Sequence, residues 1–547
     1  MSLQFITGGS GAGKSEYLSR LVCEESVRRP HDNFIVVVPE QYTMETQKKL
    51  VHMHSRKGIL NIDVVSFERL AYKVFEELGG GNRPVLDDTG KNLIVRRVLE
   101  KEKKKLDYFG SSIEKTGFVS ELKSVISELL QYGITPQQLG EIGENVKEKQ
   151  QLSAKLKDIR LVYKEFMAFL STNYITSEEI LDVLCGLVEK SKLIAGSEII
   201  FDGFTGFTPI QYKLMRLLLV YSKGIKISVT IDKKERPTGH EGWNNLFFMS
   251  KEMMNRLIAI CEEEGINVDD TVCVDRDINY RYEGAKDLAY LERNLFRYKG
   301  GVYTGTPENI RIYEGSNPKE ELQYIVSEIL QLTRKEGFRY RDIAVVTADL
   351  ETYGKVAANM MKQNDIPAFL DYKRSVAANP YVEMLCSALE IVEKGYPYDT
   401  MFRYLRTGLT GISRHDIDML ENYCLAVGIR GSRAWHEPWK KKMKRSTYQP
   451  ELETLNALRE QIMAPFLNLE AVLKDKEANV RAYVTAVYEF VTALHSAEQI
   501  KALSECEPAG NEYEQLYAKV LELFDRIVEL LGEENVSLKE FNRIVAA

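Results

Sequence analysis

The chain has 547 residues, of which 44% are hydrophobic and 28% are charged, and its net charge at neutral pH is −7. This length predicts several domains, and the composition is ordinary for a globular protein in solution. The acidic balance excludes a global positive field, so a nucleic-acid partner would need local basic patches. No apolar run approaches the roughly 20 residues that span a bilayer, and the N-terminus does not read as a secretory signal. We therefore expect no membrane association.

The seven cysteines are scattered and show no Cys-x-x-Cys spacing. An odd number without a framework predicts buried thiols in a reducing compartment rather than disulfides. We therefore expect a cytoplasmic protein whose cysteines do not by themselves form a metal site.

The first predicted element is a strand at residues 3–7 that leads into a glycine-rich segment. The segment reads Gly8, Gly9, Ser10, Gly11, Ala12, Gly13, Lys14 and Ser15. This is the P-loop pattern, in which glycines allow turns that a Cβ would forbid. The freed N–H groups form a phosphate nest at a helix N-terminus, Lys14 reaches the β- and γ-phosphates, and Ser15 ligates Mg²⁺. The predicted ligands are ATP and Mg²⁺; the alternative is a glycine-rich turn with a chance lysine.

A parallel sheet is predicted to continue from this strand. Apolar runs at 33–38 and 61–65 indicate further strands, and Ser66 is a natural N-cap for a helix at 67–75. The first 78 residues therefore read βαβαβα. After the glycines at 79–81 the pattern is helical to about residue 192. The charged run at 101–105 is either a solvated helix end or a DNA contact.

The sheet pattern resumes at residue 198 and ends in Asp202. A carboxylate at the C-terminal end of such a strand orients the Mg²⁺ shell in P-loop proteins, although an Asp before Gly203 can also simply form a turn. Thr208 and Pro209 predict the start of a helix, and 226–231 is a further strand.

A second α/β unit is predicted from residue 309. Strand patterns at 309–313, 342–347 and 366–370 alternate with helical patterns at 320–332 and 353–362. From residue 379 onward the chain is predicted to be almost entirely helical. These strands are too few for a complete sheet, so we expect the chain to stop part-way through a longer architecture.

A basic and aromatic stretch lies inside the second helical part. Basic charge with interleaved aromatic residues suits phosphate contacts and base stacking; the alternative is a buried tryptophan pair beside a solvated lysine run. The DNA-binding candidates are Arg430, Arg433, Trp435, Trp439, Lys440, Lys441, Lys442, Lys444 and Arg445.

This order of sheet, helical insertion, sheet, second α/β unit and second helical insertion resembles a superfamily 1 helicase core. The motifs at 8–15, 38–41, 63–67 and 202–209 resemble the AddB family, the B subunits of bacterial AddAB (RexAB) helicase–nucleases, and 202–209 is the most specific of them. The resemblance implies an α/β fold, a P-loop helicase-like core of two RecA-like domains with large α-helical insertions. The corresponding segments are 1–78 with 196–300 (1A), 79–195 (1B), 301–400 (2A, incomplete) and 401–547 (2B).

The resemblance also implies a function and partners. AddB-like proteins process double-strand DNA ends for recombinational repair as heterodimers with an AddA-like motor and nuclease subunit, and they contact single- and double-stranded DNA. Their helicase-like half binds ATP with an incomplete set of catalytic motifs, and the resemblance adds Gln41 to the nucleotide site. The family's C-terminal half carries a nuclease site and a 4Fe-4S cluster, neither of which we expect in this chain.

Position 203 bears on hydrolysis. Helicase motors usually place a glutamate directly after the Mg²⁺-associated aspartate, whereas Gly203 has no side chain and cannot act as a base. Glu40 could substitute, although no pattern demands it. We predict ATP binding with weak or absent hydrolysis. The alternatives are an active DNA translocase, and a P-loop scaffold or small-molecule kinase.

Overall fold

The structure is a computed structural model that describes most of the chain. The described residues are 1–79, 84–113, 115, 117–146, 148–236, 242–297, 301–370, 376, 378–443, 450–506 and 510–546. They divide into two compact units, one formed by 1–281 with 380–547 and the other by 282–379.

Nine strands are present in the described residues. They are β1 (Ser2–Gly8), β2 (Asn33–Val37), β3 (Ile62–Val65), β4 (Val85–Leu86), β5 (Ile175–Thr176), β6 (Ser197–Phe201), β7 (Gly224–Thr230), β8 (Asn267–Val268) and β9 (Val272–Cys273).

The helices of the first unit flank these strands and then form the C-terminal part. They are α1 (Lys14–Arg28), α2 (Thr43–Met53), α3 (Phe67–Leu78), α4 (Asp88–Glu102), α5 (Phe118–Gln131), α6 (Pro136–Asn145), α7 (Gln150–Asn173), α8 (Ile180–Cys185), α9 (Lys192–Ala195), α10 (Pro209–Tyr221), α11 (Phe248–Glu264), α15 (Pro380–Lys394), α16 (Tyr398–Leu405), α17 (Arg414–Val427), α18 (Ser432–His436), α19 (Leu452–Leu473), α20 (Val480–Ala493), α21 (Ser496–Cys506), α22 (Gly510–Leu531) and α23 (Leu538–Ala546). The second unit contains α12 (Lys286–Asn294), α13 (Pro318–Lys335) and α14 (Leu350–Gln363).

Seven strands form one parallel sheet. Their order is β3-β2-β6-β7-β1-β8, and β9 pairs with β1 along the same edge as β8. Two strands, β6 and β7, therefore separate β2 from β1. Because all strands run in the same direction, their carboxyl ends meet at one edge, which is where ligands bind in sheets of this kind.

Helices cover both faces of this sheet, as the buried strands require. Successive side chains of one strand point to opposite faces. On one face the buried residues are Ile6, Phe34, Val36 and Ile200 of the strands with Leu18 and Val22 of α1. On the other face they are Phe5, Ile35, Val37, Ile199 and Phe201 of the strands with Leu70 of α3 and Leu214 of α10.

Both predicted helix caps are confirmed. The Ser66 hydroxyl accepts a hydrogen bond from the backbone N–H of Arg69 at 3.3 Å. Thr208 and Gln211 form a reciprocal capping box at the start of α10, with Pro209 at the first helical position. The predicted strands of the first 78 residues, and those near 198 and 226, are also confirmed.

One hydrophobic core joins two parts of the chain that are far apart in sequence. Buried side chains from 86–174 and from 381–544 belong to the same cluster. Polar contacts link the same parts, since Tyr174 donates to Glu529 at 3.1 Å and Arg543 pairs with Glu100 at 3.2 Å. The two predicted helical insertions therefore pack against each other within one unit.

The second unit is built around α13 and α14. Its core contains Leu322, Val326 and Ile329 of α13 and Met360 of α14. Asp287, which is 4% exposed, accepts hydrogen bonds from the backbone N–H groups of the segment that precedes α13. The N–H of Asn309 is the largest of the influences that lower the pKa of Asp287 from its ordinary value to about 2.

The prediction of three strands in this unit is wrong. Residues 309–313, 342–347 and 366–370 form no β-ladder in the described part of the unit. Ile312, Val346 and Phe369 are 96%, 91% and 90% exposed. A short apolar run becomes a strand only when a neighbouring strand completes its hydrogen bonds, and the described residues of this unit supply no such neighbour.

Among the residues that the structure describes, no helix combines the length and the apolar character needed to cross a bilayer.

Candidate nucleotide-binding site

The glycine-rich loop connects β1 to α1 at the carboxyl edge of the sheet. Gly11 and Gly13 have φ values of +71° and +94°, a region that side-chain-bearing residues rarely adopt. A Cβ on Gly11 would also lie 2.5 Å from the Cβ of Arg281. At Gly11 and Gly13 the absence of a side chain therefore allows the turns of the loop.

Lys14 is the first residue of α1, and its side chain folds back over the loop. Its Nζ donates to the carbonyl oxygens of Gly8 and Gly9, both at 2.9 Å. Ser15 follows on the exposed first turn of α1. The helix N-terminus thus presents an ammonium group, a hydroxyl and backbone N–H groups together, which is an arrangement suited to phosphate.

Asp202 lies at the same edge, directly after β6. The register pairs Phe201 with Ile227, so Asp202 lies beside Ser228 on β7. Ile6 of β1 also pairs with Ser228. Ile6 and Ile200 point to the face that α1 covers, and two-residue periodicity places Asp202 on that face as well. Since α1 packs on β1, β2 and β7, the structure places Lys14, Ser15 and Asp202 at one edge and on one face.

A short segment after β9, which the sequence analysis missed, lies against the loop. The Arg281 N–H donates to the Gly11 carbonyl at 3.3 Å, and Asn279 Nδ2 donates to the Ser10 carbonyl at 3.3 Å. The Tyr280 ring is 3.3 Å from where a Cβ on Gly13 would lie, and the Arg276 guanidinium stacks over that ring at 3.6 Å. We call residues 276–281 the cap segment.

The only local signal for the cap segment is a polar and aromatic run after a very short strand. Two residues of ladder in β9 are too few for a strand pattern to be recognised in the sequence. Its position against the loop depends on the pairing of β9 with β1, which is a tertiary feature.

Gln41 and Glu40 follow β2, which is one strand farther from β1 than the strand that precedes Asp202. Both belong to the 3₁₀ turn after β2, and three strand spacings, or about 14 Å, separate β2 from β1. Gln41 is exposed and makes no hydrogen bond to a described residue. Glu40 Oε1 accepts from Arg69 Nε at 2.9 Å. Pro39 of this turn lies 3.4 Å from where a Cβ on Gly203 would be.

The two candidate tryptophans for base stacking are core residues. Trp435 is 1% exposed and Trp439 is 5% exposed, with ring centroids 5.4 Å apart. The Trp439 indole N–H donates to the Ala434 carbonyl at 2.8 Å. Both rings are therefore too buried to stack on nucleic-acid bases. They match the alternative given above, a buried tryptophan pair.

The basic candidates beside them are at the surface. Arg430, Lys440, Lys441 and Lys442 are exposed, and the exposed Arg433 pairs with Glu437 at 2.8 Å. Lys444 and Arg445 lie outside the described residues.

In the described ranges, no group of three or more His, Cys, Asp or Glu side chains is arranged to hold a metal ion. The cysteines at 23, 185, 261, 273, 386 and 424 are free thiols.

A parallel sheet whose first strand leads through a glycine-rich loop into a covering helix defines the class: an α/β protein with a glycine-rich loop at the carboxyl edge of its sheet. The sequence profile described as "ADDB, N-terminal" matches residues 5–292, which is more than half of the chain. The chain therefore belongs to the AddB family, and the resemblance found in its motifs is confirmed.

Curated relatives match along the whole chain. A protein of Lachnoclostridium phytofermentans is 42% identical over 557 residues, which cover 100% of this chain and 48% of the relative. Proteins of Symbiobacterium thermophilum and Clostridium novyi are 35% and 33% identical, with 49% and 48% of their own lengths covered. All three are named as the B subunit of an ATP-dependent helicase/deoxyribonuclease. The chain spans about half the length of these relatives.

Proposed function

We propose that this chain binds ATP with Mg²⁺ and is the helicase-like, DNA-binding part of a helicase–nuclease B subunit. One observation carries the proposal: the loop at 8–15 brings Lys14 and Ser15 to a helix N-terminus on the same edge and face of the sheet as Asp202. In this assignment the loop N–H groups and Lys14 bind the phosphates. Ser15 and Asp202 would hold the Mg²⁺ shell, and the metal would neutralise phosphate charge.

The cap segment extends the proposed nucleotide site. Arg281 and Tyr280 already lie against Gly11 and Gly13, so a nucleotide in the loop would lie beside a guanidinium group and an aromatic ring. Gln41 follows β2 at the same carboxyl edge of the sheet and is kept in the proposed site on the resemblance.

Two features support weak or absent hydrolysis. Gly203 has a φ of +86° and offers no side chain to polarise water. Glu40, the substitute considered above, is engaged by Arg69 and follows a strand about 14 Å from β1. A general base must come within hydrogen-bond reach of its proton, so the ion pair with Arg69 and the distant strand both disfavour Glu40 as the base.

Steady-state ATP turnover tests this proposal. We expect the purified chain to bind Mg·ATP, while its phosphate release stays at the level of a Lys14→Ala variant with or without single-stranded DNA. Calorimetric titration with ATP establishes binding independently of turnover. DNA-stimulated turnover that is lost in Lys14→Ala would instead identify an active translocase and overturn the proposed lack of hydrolysis.

We further propose that the chain acts on double-strand DNA ends in recombinational repair, with an AddA-like motor and nuclease subunit as its heterodimeric partner. The relatives' names, which describe one lettered subunit of a helicase and deoxyribonuclease, support an assembly of this kind. The free thiols support a reducing, cytoplasmic location. For the family's nuclease site and 4Fe-4S cluster, we propose no residues in this chain.

The proposed domain plan follows the superfamily 1 core, with 1A, 1B, 2A and 2B at the boundaries given above. The sheet and its two covered faces support a RecA-like first domain. The second unit has helices α12, α13 and α14 and no strand among its described residues, so the 2A assignment is supported by the resemblance alone.

Replacing Lys440, Lys441 and Lys442 with alanine is expected to weaken single-stranded DNA binding. The backbone of this run is anchored, because Tyr423 Oη donates to the Lys441 carbonyl at 2.6 Å, while the side chains are exposed. The slope of log K against log salt is negative, and each lost phosphate contact should make it shallower by about 0.7. Fluorescence anisotropy across a salt series measures that slope.

The matched control replaces the lysines at 103, 104 and 105, which form the other run of three. An unchanged slope in the 440–442 variant would assign that run to a solvated surface. A shallower slope in the control alone would indicate that DNA contacts the charged run at 101–105 instead.

A further inference from the structure

Ser228 lies on β7, the strand between β1, which leads into the glycine-rich loop, and β6, which precedes Asp202. It pairs with Ile6 of β1 on one side and lies beside Asp202, the residue after β6, on the other. Its neighbours Ile227 and Val229 are buried on the opposite face of the sheet. Alternation therefore turns the Ser228 side chain to the face that carries Asp202 and α1.

The Ser228 hydroxyl connects to Asp202 and to the residue after it. Ser228 Oγ donates to Asp202 Oδ1 at 2.5 Å and accepts from the Gly203 N–H at 3.3 Å. Ser228 is 4% exposed, so water competes little for these two bonds. One hydroxyl thus holds both the carboxylate and the left-handed backbone that follows it.

The hydrogen bond to Oδ1 leaves the other carboxylate oxygen available. Asp202 Oδ2 makes no hydrogen bond to a described residue, and the side chain is only half-buried. A carboxylate held through one oxygen presents the other in a defined direction, and partners of this kind set the orientation of metal-associated carboxylates.

We propose that Ser228 is a positioning residue that orients Asp202 toward the Mg²⁺ of a bound nucleotide. This inference rests on the proposed function, since it assigns Asp202 to the Mg²⁺ shell. Alanine at 228 removes the donor and leaves the carboxylate free to rotate, whereas threonine keeps the hydroxyl on a strand that favours β-branched residues.

Nucleotide binding with and without Mg²⁺ tests the proposal. For the parent chain, Ser228→Ala, Ser228→Thr and Asp202→Asn, ATP affinity is titrated in EDTA and across a Mg²⁺ series. We expect Ser228→Ala to raise the Mg²⁺ concentration for half-maximal effect about tenfold, with unchanged affinity in EDTA. Ser228→Thr should restore the parent profile, and Asp202→Asn should lose the Mg²⁺ effect.

Ser222→Ala is the matched control. Ser222 directly follows α10 and lies two residues before β7. It is 1% exposed, and its hydroxyl has no hydrogen-bond partner in the described structure. Its removal should leave both affinities unchanged. Circular dichroism checks that each variant is folded.

The outcomes separate this inference from the function on which it rests. A parent-like Mg²⁺ profile in Ser228→Ala overturns the positioning role while ATP binding stands. An equal loss of affinity with and without Mg²⁺ also overturns it, because that result reports a distorted loop. A parent chain that binds no ATP in either condition refutes the proposed function, and the inference with it.

Discussion

Replacing Lys14 with alanine is expected to lower the affinity for Mg·ATP by roughly 10- to 100-fold. A hydrogen bond to a charged partner contributes about 1.5–3 kcal/mol, and each 1.4 kcal/mol changes an equilibrium constant about tenfold. Lys14 Nζ also donates to the carbonyls of Gly8 and Gly9 at 2.9 Å, so the variant loses an internal brace of the loop. Isothermal titration with ATP and Mg²⁺ measures the change.

Lys213→Ala is the matched control for this experiment. Lys213 lies on α10 and pairs with Asp182 at 2.6 Å on an exposed surface, where an ion pair contributes little to stability. Its replacement should leave ATP affinity unchanged. Parent-like affinity in Lys14→Ala would contradict the assignment of the glycine-rich loop to phosphate.

Replacing Trp435 with alanine is expected to lower the free energy of unfolding by about 3–5 kcal/mol, the range for a large buried aromatic residue. Trp435 is 1% exposed and packs against Trp439. Its backbone carbonyl oxygen accepts from Arg459 Nη1 at 2.9 Å, and the variant keeps that carbonyl, so the expected loss comes from the indole. Urea denaturation followed by far-UV circular dichroism measures the loss.

Trp243→Ala supplies the comparison, because that tryptophan is 85% exposed. Exposed substitutions usually change stability by about 0.5 kcal/mol or less. If Trp435→Ala were as stable as the parent but bound DNA weakly, the indole would be a DNA contact and its burial would be refuted.

Features that depend on neighbours along the chain were predictable. Ser66 and Thr208 cap helices because their hydroxyls reach N–H groups three residues later. The buried strand at 33–37 follows from an uninterrupted apolar run.

Features that depend on distant residues were not predictable. The apolar run at 342–347 has the same local pattern as a strand, yet Val346 is 91% exposed, since no neighbouring strand pairs with it in the described part of its unit. Basic residues around Trp435 and Trp439 have the pattern of a nucleic-acid surface, but only the packing of the surrounding helices determines that the rings are buried.

The sequence by itself determined the glycine-rich loop, its flanking strand and helix, the position of Asp202 at a strand end, and the family. These are local properties, because a left-handed glycine, an N-cap or an apolar alternation depends only on residues a few positions apart. The tertiary structure decided the rest. The strand order places Ser228 beside Asp202, the pairing of β9 with β1 brings the cap segment to the loop, and segments 86–174 and 381–544 share one core. Each of these arrangements joins residues separated by tens to hundreds of positions, and only burial in the folded chain selects such contacts.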